Sequence, residues 1–176
     1  MSLSEAIHAD REGRVEDAAS LYESALASAE PNLTVFLNLS LLYWQSTDVG
    51  FATERRLSPE FVERAGKRFP ELLHEMKRVF PSSTEARFWD RYIGWTDLGA
   101  SRMTDEECIA LLKEDASVLV PAMELFIRTA GREYRREAME LLRACRADGT
   151  AGARYVVSVL EGALKRERAT RWKGPR

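Results

Sequence analysis

The chain has 176 residues, 45% of them apolar and 31% charged, a composition that fits one ordinary folded domain or one short repeat array. Its formal net charge of −2 argues against the global positive field of most nucleic-acid binders. The opening "MSLSEAIHADREGR" has neither a basic start nor an apolar segment, and no apolar run has the length of a membrane span, so the expectation is a cytoplasmic protein with no signal peptide. Cys108 and Cys145 stand far apart among core-type residues, with neither a disulfide framework nor a metal spacing.

Nearly every stretch has a helical period and none alternates like a strand. A first helix is predicted over 4–12, closed by Gly13 at a tight turn. A second over 15–29 puts Ala18, Leu21, Tyr22, Ala25 and Leu26 on one face and ends at Pro31. The third, "LTVFLNLSLLYWQ" over 33–45, is apolar nearly all round and must be covered on more than one side. Residues 46–57 carry no clear stripe and read as a long loop or an irregular turn of helix. Ser58 and Pro59 cap and start the next helix, whose apolar positions run from Phe61 to Phe80 and which Pro70 should kink or split.

Ser82 to Glu85 has capping-box spacing ahead of Phe88, Trp89, Tyr92, Ile93 and Trp95. Thr104 to Glu107 repeats that spacing ahead of Cys108, Ile109, Leu111 and Leu112. Three more helical stretches fill 117–131, 132–145 and 153–167, with Pro121 early enough to be tolerated, Gly131 as a terminator and Gly149 at a turn. Tyr134, Ala138, Leu141, Leu142 and Cys145 share one stripe. The sum is about nine helices in an all-α fold of stacked antiparallel pairs, a single domain over 1–164 followed by a basic C-terminal tail over 165–176.

The first third resembles the tetratricopeptide repeat, a helix–turn–helix unit of 34 residues. Gly13 falls at its turn, and Ala18, Tyr22 and Ala25 fall on the small, aromatic and small positions of its second helix. Ala6 takes the small position of the first helix, and one period later Ser40 takes it again, with Phe36, Leu39 and Tyr43 on the large positions. The match covers 4–45 and then fails, because Arg56 and Pro59 stand where an aromatic and a small residue belong. The helices over 58–164 read as degenerate hairpins. The resemblance implies a short α-solenoid, a right-handed superhelix whose first helices line a groove for a peptide.

In that frame Leu37, Asn38, Leu41, Trp44 and Gln45 fall on or beside the groove, with Leu3, Ile7, Asp10 and Arg11 as their counterparts one repeat earlier. Members that clamp a terminal carboxylate carry lysine and asparagine where this chain has Leu3, Ile7 and Leu37, so an apolar groove anchored by Trp44 is expected instead. Asn38 suits a peptide backbone because an amide both donates and accepts. Each position has a second reading: Leu37, Leu41 and Trp44 fit a core, and Asn38 fits a hydrogen bond inside the fold. Trp89, Tyr92 and Trp95 likewise have the spacing of core aromatics.

Signs of chemistry are few. "HEMKR" begins like a zinc-protease helix but has Arg78 where the second histidine belongs. Glu5-x-x-His8 and Glu71-x-x-His74 share the spacing of di-iron carboxylate sites, which gives a metal-dependent enzyme as the alternative reading. Cys145 lies near Arg143 and Arg146, yet its place on an apolar stripe argues for an inert thiol. The expectation is a protein that is not an enzyme, needs no cofactor, and binds another protein or peptide as an adaptor, scaffold or inhibitor. Seven acids against two bases over 1–30, and six bases against one acid over 165–176, admit a weak head-to-tail homo-oligomer. The basic tail leaves nucleic-acid contact as a lesser alternative.

Overall fold

The computed structural model describes residues 2–28 and 30–172, with the side chains of 28 and 169–172 left aside. Among the described residues there are ten helices and no strand: α1 (Leu3–Arg11), α2 (Val15–Ser28), α3 (Leu33–Ser46), α4 (Val49–Arg55), α5 (Pro59–Val79), α6 (Thr84–Asp97), α7 (Asp105–Glu114), α8 (Val120–Arg128), α9 (Arg135–Asp148) and α10 (Ala151–Trp172). Most starts are set by a side chain that accepts an otherwise orphaned amide. Ser2 and Glu5 form a capping box on α1, Asn32 accepts from Thr34 at 2.9 Å on α3, and Thr104 with Glu107 closes the capping box on α7.

Several expectations are corrected. The segment over 46–57 holds a short helix, α4, started by Asp48, whose Oδ1 accepts from the Phe51 amide at 2.8 Å, and ended by Arg56 at a φ of 53°. No residue of α4 is fully buried, and Phe51 alone among its large apolar residues packs partly against the core, so the segment carries no hydrophobic stripe. Pro70 does not split α5, which runs through it to Val79 with Phe69, Leu72, Leu73 and Met76 buried on either side. The cap of α6 is Ser83, which accepts from Ala86, and not Ser82. Tyr134 sits just before α9 with a φ of 55°, and α10 continues through 165–172. That leaves 173–176 of the expected tail outside the described residues.

Packing follows chain order, then closes on itself. α1 and α2 form a hairpin across Gly13, whose φ of 73° suits the turn, and the small side chains of Ala6, Ala9, Ala18 and Ala19 are fully buried between them. Ten of the fourteen residues of α3 are buried, because α2, α4, α5 and α10 all pack against it. α5 leads to α6, and α6 through α9 pack in succession. α10 pairs with α9 and returns to touch both α8 and α3. At that return the absence of a side chain on Gly152 matters: a Cβ there would lie 2.6 Å from Leu41 Cδ1. The last helix is therefore seated on the third at a close approach that only glycine permits without a shift.

Candidate binding cleft

A cleft of about 300 Å³ opens where α3, α6, α9 and α10 meet. Leu37 and Leu41 line it from α3, Trp89 from α6, Ala144 and Cys145 from α9, and Gly152, Ala153 and Val156 from α10, with Val120 at the start of α8. Its polar lining is Thr34, Asn38, Glu85, Asp148 and Thr150. The volume is at the lower end of ligand sites, enough for one side chain or a small molecule. Apolar walls with a few convergent polar groups are the usual makeup of such a site.

The position of Glu85 follows from the cap of α6. With Ser83 as the cap, Glu85 is the second helical residue rather than the third, so it does not reach back to close a capping box. Its carboxylate instead faces the cleft, where burial holds its pKa above the ordinary carboxylate value. The Trp89 indole N–H opposes that shift by hydrogen bonding, while the negative charges of Asp115 and Asp148 add to it. Asp148, the last residue of α9, is exposed and accepts from the Thr150 amide at 2.9 Å.

Asn38 connects the cleft to a buried network. Its Nδ2 donates to the Tyr22 hydroxyl at 3.1 Å, and that hydroxyl donates to Asp10 Oδ2 at 3.3 Å. Asp10, fully buried on α1, accepts from the Ala151 amide at 2.8 Å and from Arg154 Nη2 at 3.3 Å. Three helices, α1, α2 and α10, thus meet at one carboxylate, and α3 joins them through Tyr22. Burial raises the Asp10 pKa against these bonds, and burial beside Asp10 raises that of Tyr22.

Of the groove residues read from the sequence, Leu37, Asn38 and Leu41 line this cleft together. Trp44 does not. Only 7% exposed, it packs edge-on against Tyr92 and Tyr155, and its Nε1 donates to Asp97 Oδ2 at 2.8 Å. Gln45 lines a separate depression with Asp48, Phe51, Arg55 and Tyr155, and its Nε2 donates to the Leu41 carbonyl. Leu3 and Ile7 are half-buried against the core, and Arg11 is exposed. Trp89 and Tyr92 are buried, the latter with its hydroxyl 2.7 Å from that of Tyr155.

The two Glu-x-x-His pairs do not assemble a site. Glu5 accepts from the Ser2 amide in the α1 cap, His8 lies 3.2 Å from Glu12 on the surface, and Glu71 pairs with Arg68. His74 is exposed on α5. Among the described residues no three His, Cys, Asp or Glu side chains come together to hold a metal ion. Burial pushes the Cys145 thiol up to about 11 and that of Cys108 up to about 12, so neither is an activated nucleophile.

Glu85 and Asp148 were missed by the sequence reading. Capping-box spacing puts Glu85 one residue out of register, and nothing in the spacing around Gly149 marks Asp148. The run of two serines and a threonine at 82–84 offers more than one cap, and only the helix register decides between them. Comparison with protein-family models, with curated proteins and with solved structures finds no match to this chain. Among the described residues no helix is long and apolar enough to cross a membrane.

Proposed function

We propose that this chain is a tetratricopeptide-like helical stack that works by binding a segment of another protein in the cleft beside α3. The observation that carries the reading is the meeting of Leu37, Asn38 and Leu41, expected on a peptide groove, in one apolar-walled cleft. Support for the stack comes from Ala6, Ala18 and Ser40, which are at most 1% exposed at the positions where the repeat needs small residues. The return of α10 onto α3 departs from an open solenoid, in which each repeat touches only its neighbours, and closes one side of the groove. Rigid walls keep the ordering cost of binding low. Asn38 contributes its side-chain oxygen to a bound backbone, because its Nδ2 is already engaged by Tyr22.

The test is a selection of displayed random peptides on the folded chain, followed by titration of the synthetic winners. Ala144 is exposed on the cleft rim, so Ala144→Trp should abolish their binding while leaving the unfolding midpoint unchanged. Peptides that bind this variant as well as the parent chain would overturn the reading.

A further inference from the structure

The chemistry of the cleft narrows what its occupant can be. Two carboxylates, Glu85 and Asp148, face it, and no lysine or arginine lines it. Helix N-termini usually favour anions, but three of the four first turns presented here are already capped: Asn32 accepts from Thr34 and Val35, Ser83 accepts from Ala86, and Asp10 accepts from Ala151, while α8, which reaches the cleft through Val120 alone, has no side-chain cap. The last turn of α9 also lines the cleft through Ala144, Cys145 and Asp148, and that end of a helix favours a cation. An apolar side chain would strip water from both carboxylates without replacing it, and an acidic one would add a third like charge. A long aliphatic stem with a cationic head satisfies both the walls and the acids.

We propose that the cleft takes a lysine or arginine side chain of the bound partner segment, its stem against Leu37, Leu41 and Val156 and its cationic head between Glu85 and Asp148. This rests on the peptide-binding reading above. The head supplies the counter-charge that Glu85 lacks, and burial of that carboxylate beside Asp148 and Asp115 is relieved when the cation arrives. A guanidinium adds the geometry for paired hydrogen bonds to a carboxylate, so arginine should bind more tightly than lysine.

The experiment uses the full chain and simple probes: n-pentylammonium and n-pentylguanidinium against n-pentanol and pentanoate, and acetyl-Leu-Lys-Leu-amide against the same peptide acetylated at the lysine. Occupancy is read from the rate of Cys145 alkylation by uncharged iodoacetamide and from the Trp89 indole resonance, since both residues line the cleft. The expected result is that only the cationic probes slow alkylation and shift Trp89, the lysine peptide binding more tightly than the free amine. Glu85→Gln should weaken cationic binding at least ten-fold at pH 7.5, with an unfolding midpoint no lower than the parent's. Equal binding of pentanol, or no loss in Glu85→Gln, would overturn the cationic assignment and leave the peptide-binding reading standing. A free amine that binds more tightly than the lysine peptide would overturn the assignment to a partner's side chain. Absence of binding by every probe would overturn the inference, and the selected peptides would still test the broader reading separately.

Discussion

The Ala151 amide donates to Asp10 Oδ1 at 2.8 Å, joining residues 141 positions apart in the chain. This one bond ties the first helix to the start of the last and supplies α10 with a capping carboxylate from outside the helix. The same carboxylate holds Tyr22 and Arg154, so its removal orphans three donors on two helices, α2 and α10. Asp10→Ala should lower stability by about 3 kcal/mol, as loss of one partner from a buried charged network does. Asp10→Asn should cost less, because the amide oxygen can still accept from Ala151. Urea unfolding of the two variants checks the order.

The pH dependence of stability carries a signature of Glu85. Its folded pKa lies above the ordinary value of 4.5, so its contribution is fully present below that value and is lost as pH rises through the folded pKa. Glutamine does not ionise. The stability of Glu85→Gln relative to the parent chain should therefore increase as pH is raised from about 4.5 towards neutrality. Denaturant midpoints across that interval measure it. Comparison with the variant isolates Glu85 from groups such as Glu107 and Glu161, whose lowered pKa values give stability that is present above the ordinary value and lost as pH falls below it.

Gly152 and Leu41 set the spacing between α10 and α3. A Cβ at 152 would lie 2.6 Å from Leu41 Cδ1 and 3.3 Å from Leu41 Cβ, and the second contact cannot be relieved by a rotamer change. Gly152→Ala should cost about 1–3 kcal/mol and narrow the cleft. Adding Leu41→Ala should recover part of the loss caused by Gly152→Ala, a coupling that a double-mutant cycle by thermal unfolding would measure.

Trp44 should behave as a core residue. Trp44→Ala is expected to cost about 3–5 kcal/mol by leaving a cavity beside Tyr92 and Tyr155. Trp44→Phe should cost about 1 kcal/mol, since it keeps most of the ring and loses the bond to exposed Asp97. Thermal unfolding of both separates packing from the hydrogen bond, and a Trp44→Ala protein as stable as the parent chain would contradict the assignment.

What was legible in advance tracks what local spacing can encode. The helices whose stripes bury a face, such as α3 and α5, stand close to where the apolar positions put them, and the Thr104 to Glu107 box closes as spaced. For 46–57 the spacing leaves a loop and an irregular turn of helix both open, because the short α4 has no fully buried residue to mark it. Leu37, Asn38 and Leu41 share a helix face that spacing shows, whereas only α6 and α10, from distant parts of the chain, decide between the groove and core readings of Trp44 in favour of the core. Glu85 depended on a one-residue choice of cap. Asp148 needed the return of α10, which no stretch of sequence announces by itself.

The central claim is that the cleft beside α3 is the binding surface. Amide and indole resonances of the labelled chain, followed during titration with a selected peptide, test it most directly. The predicted result is a set of shifts concentrated at Leu37, Asn38, Leu41, Trp89, Cys145 and Val156, with His74 and Glu63 on the exposed face of α5 unchanged. Shifts concentrated on that face of α5, with the cleft residues unmoved, would contradict it.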